Sequence, residues 1–127
     1  MNKVYLCSRV AEDARSMNNE VALALIKAGF EVYIPHAAPH NNMNASDLEI
    51  YTQDLAEMKK ADFCVAVGRL GVDCAFEVGW FTGRAKFIYW YLPTPLKDRH
   101  PMFFELKPHT FDSIQVMIQT IKDELGG

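Results

Sequence analysis

The segment best equipped for chemistry reads Gly68-Arg69-Leu70-Gly71-Val72-Asp73-Cys74-Ala75-Phe76-Glu77-Val78-Gly79-Trp80. An apolar run at 62–67 precedes it, and a helical pattern covers its second half. Glu77 therefore falls about one turn into a helix that begins near Asp73, at the carboxyl edge of a strand. The amino end of a helix carries partial positive charge, which favours an ionised carboxylate. The apolar neighbours Phe76, Val78 and Trp80 withdraw water from it, which works the other way. A positioned carboxylate in an apolar crevice suits covalent catalysis at an anomeric carbon. It stabilises an oxocarbenium-like transition state and then bonds to it. The spacing fits plainer roles as well: Glu77 as a dipole partner on a solvated face, Asp73 as an N-cap, Cys74 as a small buried hydrophobe, and Trp80 and Phe81 as core.

Other chemistries lack their motifs. No GxGxxG follows the first apolar run, and neither a Walker A sequence nor a GxSxG elbow is present. His36, His40, His100 and His109 show no metal-ligand spacing, because Pro39 interrupts the one pair four residues apart. Cys7, Cys64 and Cys74 make an odd count without CxxC spacing, which reads as buried, reduced thiols in a cytoplasmic protein. No metal and no cofactor is implied.

The elements that must position Glu77 follow from the hydrophobic pattern. Residues 3–8, 30–34, 62–67 and 86–91 read as strands, with 103–106 a candidate fifth. Residues 14–28, 46–60, 73–83 and 111–125 read as helices. Gly29 stops the first helix, and Ser46 with Glu49 forms a capping box for the second. The run at 62–67 is apolar throughout, as expected of a strand covered on both faces. Alternating strands and helices imply α/β: one domain over 1–127, a flavodoxin-like parallel sheet of four to five strands in the order 2-1-3-4-5, and helices on both faces. Ligands in such sheets sit beyond the carboxyl ends of the strands. The segments after Leu6, Ile34, Val67 and Tyr91 then surround one crevice.

Composition narrows the partners. The chain has 127 residues and a formal net charge of −3, with no basic block to displace counterions from duplex DNA or RNA. Its apolar stretches are too short for a membrane span, and no signal peptide is apparent at its start.

Taken in order, three motifs resemble those of the nucleoside 2-deoxyribosyltransferases. They are Tyr51-Thr52-Gln53-Asp54-Leu55, the Asp-plus-apolar strand Asp62-Phe63-Cys64-Val65-Ala66-Val67, and Asp73-Cys74-Ala75-Phe76-Glu77-Val78-Gly79-Trp80. The opening Val4-Tyr5-Leu6 and the later Gly-Phe-Glu-Val-Tyr-Ile-Pro fit the same pattern, so the similarity spans most of 3–91. The resemblance implies that Glu77 is a nucleophile that takes a deoxyribosyl group from one nucleobase and passes it to another. Asp62 would handle the base and its proton, and Asp73 the sugar. Tyr5, Ser8, Arg9, Gly71 and Gly79 would line the pocket, with His36 beside the base. The family's sugar-positioning acid usually lies six residues before the Glu, where this chain has Gly71. Related nucleotide N-glycosidases tend to carry a Ser there, so its absence favours a free nucleoside. Ser8, Arg9, Arg15 and Ser16 offer an alternative hold on a phosphate. The family also implies a homo-oligomer whose partner subunit completes the pocket. Here His100 and Met102 are the cross-subunit candidates, and Trp90, Tyr91, Phe103 and Phe104 mark an exposed aromatic interface. The expected partners are a nucleoside or nucleotide and a nucleobase. Hydrolysis of the same bond, and a sensing module without turnover, are the competing readings.

Overall fold

The computed structural model describes residues 2–9, 11–35, 45–96, 101–102 and 109–126. Among these, five strands form one parallel sheet. They are β1 (Lys3–Cys7), β2 (Glu31–Tyr33), β3 (Phe63–Val67), β4 (Phe87–Tyr91) and β5 (His109–Phe111), in the order β2-β1-β3-β4-β5. The expected flavodoxin-like order is the observed one. Helices α1 (Arg15–Lys27) and α4 (Ile114–Leu125) cover one face, and α2 (Asp47–Lys60) and α3 (Val72–Gly83) the other.

Strand alternation decides what each face holds. On β1, Val4 and Leu6 join Phe63, Val65 and Tyr89 beneath α1 and α4. Tyr5 and Cys7 face the other way, with Cys64, Ala66 and Trp90, beneath α2 and α3. The register sets Tyr5 beside Cys64 and Cys7 beside Ala66. All five residues of β3 are buried, as its apolar sequence demands.

The helix ends obey local chemistry. Ser46 Oγ accepts from the Glu49 amide at 3.1 Å, which is the N-cap half of the expected box. The Glu49 carboxylate turns back to accept from the Ser46 hydroxyl at 3.1 Å rather than from the Ser46 amide. Lys86 Nζ donates to the Ala61 carbonyl at 2.6 Å and the Lys59 carbonyl at 3.3 Å, satisfying the carboxyl end of α2.

The candidate strand at 103–106 and the aromatics Phe103 and Phe104 lie outside the described residues, and the fifth strand described is His109–Phe111. Three edge residues are too few to show a period of two, and Ser113 caps α4 immediately afterwards, accepting from the Val116 amide at 3.3 Å. Trp90, expected at an exposed interface, is 2% exposed, and its indole donates to the Gly68 carbonyl at 2.7 Å. It lies on the sheet face covered by α3, and that indole bond gives its polar edge a partner inside the core.

Candidate active site

β3 ends at Val67, and the chain reverses through Gly68 into α3. Gly68 has φ of +63°, and a Cβ there would lie 3.2 Å from Met17 Sδ, so the turn calls for glycine. The backbone at Gly71 caps α3, and Asp73 is the second helical residue rather than the N-cap. Counting from Val72, Glu77 stands one and a half turns in, on the helix side facing β1.

The Tyr5 hydroxyl donates to Glu77 Oε2. The Cys7 thiol donates to Glu77 Oε1 at 3.5 Å and to the Cys74 carbonyl at 3.2 Å. Tyr5 and Cys7 are two apart on β1 and so present neighbouring side chains on one face. The aromatic ring of Tyr5 stacks on Tyr33 with centroids 5.5 Å apart, and the Tyr33 hydroxyl donates to Asp54 Oδ1 at 2.9 Å. Residues from β1, β2, α2 and α3 thus converge at one place.

Burial raises the Glu77 carboxyl from its ordinary value to about 7, with the Asp54 and Asp73 charges adding to the rise and the Tyr5 and Cys7 hydrogen bonds opposing it. Near neutral pH the group is therefore about half ionised. Tyr5 is shifted in the same direction: burial and the adjacent Glu77 charge hold its phenol firmly protonated, so it remains a donor. The Cys64 thiol beside Cys7, and the Cys7 thiol beside Cys74, push both of those thiols up, so both rest neutral.

Of the three apolar sequence neighbours of Glu77, only Val78 is buried, in the cluster that holds Tyr5 and Cys7. Phe76 is 71% exposed, and Trp80 is only partly buried, with the Arg84 guanidinium 4.0 Å above its ring. Tyr5 and Cys7, 72 and 70 residues away in the chain, are the groups in contact with the carboxylate.

The other expected residues separate clearly. Asp73 is exposed and acts on Glu77 only through its charge. Asp62 is not brought to the site. It precedes β3 at the amino edge of the sheet, where its carboxylate accepts from the Lys3 amide at 2.7 Å. The acid of the Tyr51-Thr52-Gln53-Asp54-Leu55 motif does act here: Asp54 accepts from Tyr33, and its charge raises Glu77. Gly79 is exposed, and a Cβ there would meet nothing within 4 Å. A Cβ at Gly71 would make ordinary contact with Arg9 at 3.6 Å. Arg9 pairs with Asp13 at 2.7 Å. Ser8 is 5% exposed, and its hydroxyl has no hydrogen-bond partner among the described residues. The same holds for Oδ1 of Asn18, whose Nδ2 donates to the Arg9 carbonyl at 2.8 Å. Asn18 had a readable signal, being the polar member of the buried stripe Asn18, Val21, Ala22 and Leu25 on α1. His36 and His100 lie outside the described residues, and Met102 is 78% exposed. A concavity between Lys3, Glu31, Tyr33 and Glu57 opens at the amino edge, and Glu77 does not line it.

The parallel α/β sheet in the order β2-β1-β3-β4-β5, with Glu77 held against β1 by Tyr5 and Cys7, belongs to the doubly wound class of folds. Residues 4–112 match the family model of nucleoside 2-deoxyribosyltransferase, and the chain belongs to that family. No curated protein matches it in sequence. Its fold is similar to that of a 2-deoxyribosyltransferase from Bacillus psychrosaccharolyticus (TM-score 0.76, 21% identity, 91% of this chain and 90% of that one). It is also similar to a CMP N-glycosidase from Clostridium botulinum (0.70, 17%, 97% and 99%). A third neighbour is the 2-deoxyribosyltransferase of Leishmania mexicana (0.74, 12%, 97% and 98%). No helix among the described residues is long and apolar enough to cross a membrane.

Proposed function

We propose that this chain, acting as one domain in the cytoplasm, cleaves the N-glycosidic bond of a 2-deoxynucleoside and transfers the deoxyribosyl group to another nucleobase. The observation that carries the reading is the half-buried Glu77 carboxylate, oriented by the Tyr5 hydroxyl. Tyr5 fixes Oε2, while Oε1 has only a weak thiol donor at 3.5 Å, so Oε1 is the nucleophilic oxygen. It forms a bond to C1′ as the C1′–N bond breaks, and the bonding pair leaves on the base, which takes up a proton. A second base, or water, then attacks C1′ from the face the first base left. The C1′–Oε1 bond breaks with its pair returning to the Glu77 carboxylate, the attacking group gives up a proton, and the overall outcome is retention. Asp54, tied to Tyr33 and felt by Glu77 through its charge, is the second acid of this reading and is assigned to the base. A homo-oligomer with exposed Met102 near a neighbouring pocket fits the same scheme.

Incubation with deoxyinosine, with and without adenine, tests this in one chromatogram. Deoxyadenosine formed only with adenine is transfer, hypoxanthine with free deoxyribose is hydrolysis, and unchanged substrate removes the enzyme reading.

A second reading has its own support. The buried, unpartnered Ser8 Oγ and Asn18 Oδ1 lie at the carboxyl end of β1 and on the first turns of α1, where a 5′-phosphate or sugar hydroxyl would find a donor and an acceptor. Hydrolysis of a nucleoside monophosphate would use the same Glu77.

A further inference from the structure

Cys7 and Cys74 are 67 residues apart in sequence, and the fold brings both thiols against Glu77. The two Sγ atoms and a Glu77 carboxylate oxygen all lie within 4.8 Å of one another. Among the described residues, no other three His, Cys, Asp or Glu side chains bring ligand atoms so close. Tetrahedral zinc has bonds of about 2.3 Å to sulfur and about 2.1 Å to a carboxylate oxygen. The edge between two such ligands is then roughly 3.6 Å. Cys7 Sγ and Glu77 Oε1 already stand 3.5 Å apart.

We propose that Cys7, Cys74 and Glu77 form a binding site for a soft or borderline divalent cation of the zinc and cadmium class, and that the bound ion withdraws Glu77 from the substrate. Two metal–sulfur bonds and one metal–oxygen bond form, the two thiol protons pass to solvent, and no electron is transferred. Thiolate ligands select against Mg²⁺ and Ca²⁺, which require oxygen shells. Both cysteines are buried while Glu77 is only partly so, which leaves the Glu77 side for a fourth ligand from water or buffer. The inhibitory half of this inference rests on Glu77 being the nucleophile; the binding half does not.

The test titrates the reduced, chelator-stripped full chain with Cd²⁺ and follows the ultraviolet thiolate-to-metal charge-transfer band. The band should saturate at about one equivalent and be displaced by Zn²⁺ but not by Mg²⁺. Cys74→Ser should roughly halve its intensity, and Glu77→Gln should weaken binding at least tenfold. Cys64→Ala, lacking the third buried thiol, should titrate like the parent. Circular dichroism identifies the folded variants, and if the cysteine variants unfold, Glu77→Gln decides the matter. Absence of a band at one equivalent, or an unchanged Kd in Glu77→Gln, overturns the site. Saturating Zn²⁺ should also suppress nucleoside cleavage at least tenfold, reversibly with chelator. Binding without suppression would keep the site and remove Glu77 as nucleophile.

Discussion

Replacing Tyr5 with Phe removes the hydroxyl that donates to Glu77 Oε2 and leaves the ring stack on Tyr33 in place. A hydrogen bond to a charged group contributes about 1.5–3 kcal/mol. At about 1.4 kcal/mol per pKa unit, its loss moves Glu77 up by about one to two units, because the bond favoured the ionised form. Starting from about 7, the carboxyl would then titrate near 8 to 9. The ionised fraction at pH 7 falls from about half to somewhere between roughly a tenth and a hundredth. The rate of nucleoside cleavage at pH 7 should fall by roughly five- to fifty-fold and recover substantially by pH 9. The assay is a pH profile of kcat/KM for both proteins, with chelator present. An acidic limb in Tyr5→Phe that stays where the parent's lies, or moves down, refutes the reasoning.

Further consequences follow from the same geometry. The folded-state Glu77 pKa lies above the value for an unfolded chain, so ionising it costs stability as pH rises from about 4.5 to about 7. Glu77→Gln should therefore raise Tm by several degrees at pH 8, an effect on the order of 3 kcal/mol, while leaving pH 4.5 nearly unchanged; calorimetry at both pH values checks this. Asp54→Asn removes a charge that raises Glu77, so the acidic limb of the rate profile should move to lower pH. Ser8→Ala should raise KM for a nucleoside monophosphate more than for the free nucleoside if the buried hydroxyl meets the phosphate, and equal effects on both substrates would exclude that contact. Gly68→Ala should cost about 1–2 kcal/mol in thermal unfolding, because its backbone is left-handed and its Cβ would press on Met17.

The parts of this protein readable from its letters are those set by local pattern. The apolar run from Phe63 to Val67, the Ser46–Glu49 box and the alternation in β1 each follow from near neighbours, and together they lead to the sheet order. Glu77 was visible because the end of β3 and the start of α3 are adjacent in sequence. What was not visible is long-range. Tyr5, Cys7, Tyr33 and Asp54 reach Glu77 from three other elements, and no spacing along the chain encodes those meetings. Asp62 illustrates the cost: its place in a familiar motif suggested chemistry, yet it opens β3 and ties down the amino edge. Trp90 was misplaced because an aromatic strand facing solvent and one facing a helix look alike until the helix is known to cover it.

If Glu77 bonds to the sugar, rapid mixing with a 2-deoxynucleoside followed by acid quench and intact-mass analysis should reveal a protein heavier by one deoxyribosyl unit, with the adduct on the peptide that carries Glu77 and absent from Glu77→Gln. Base release with no adduct at any quench time, or an adduct on another residue, would contradict it.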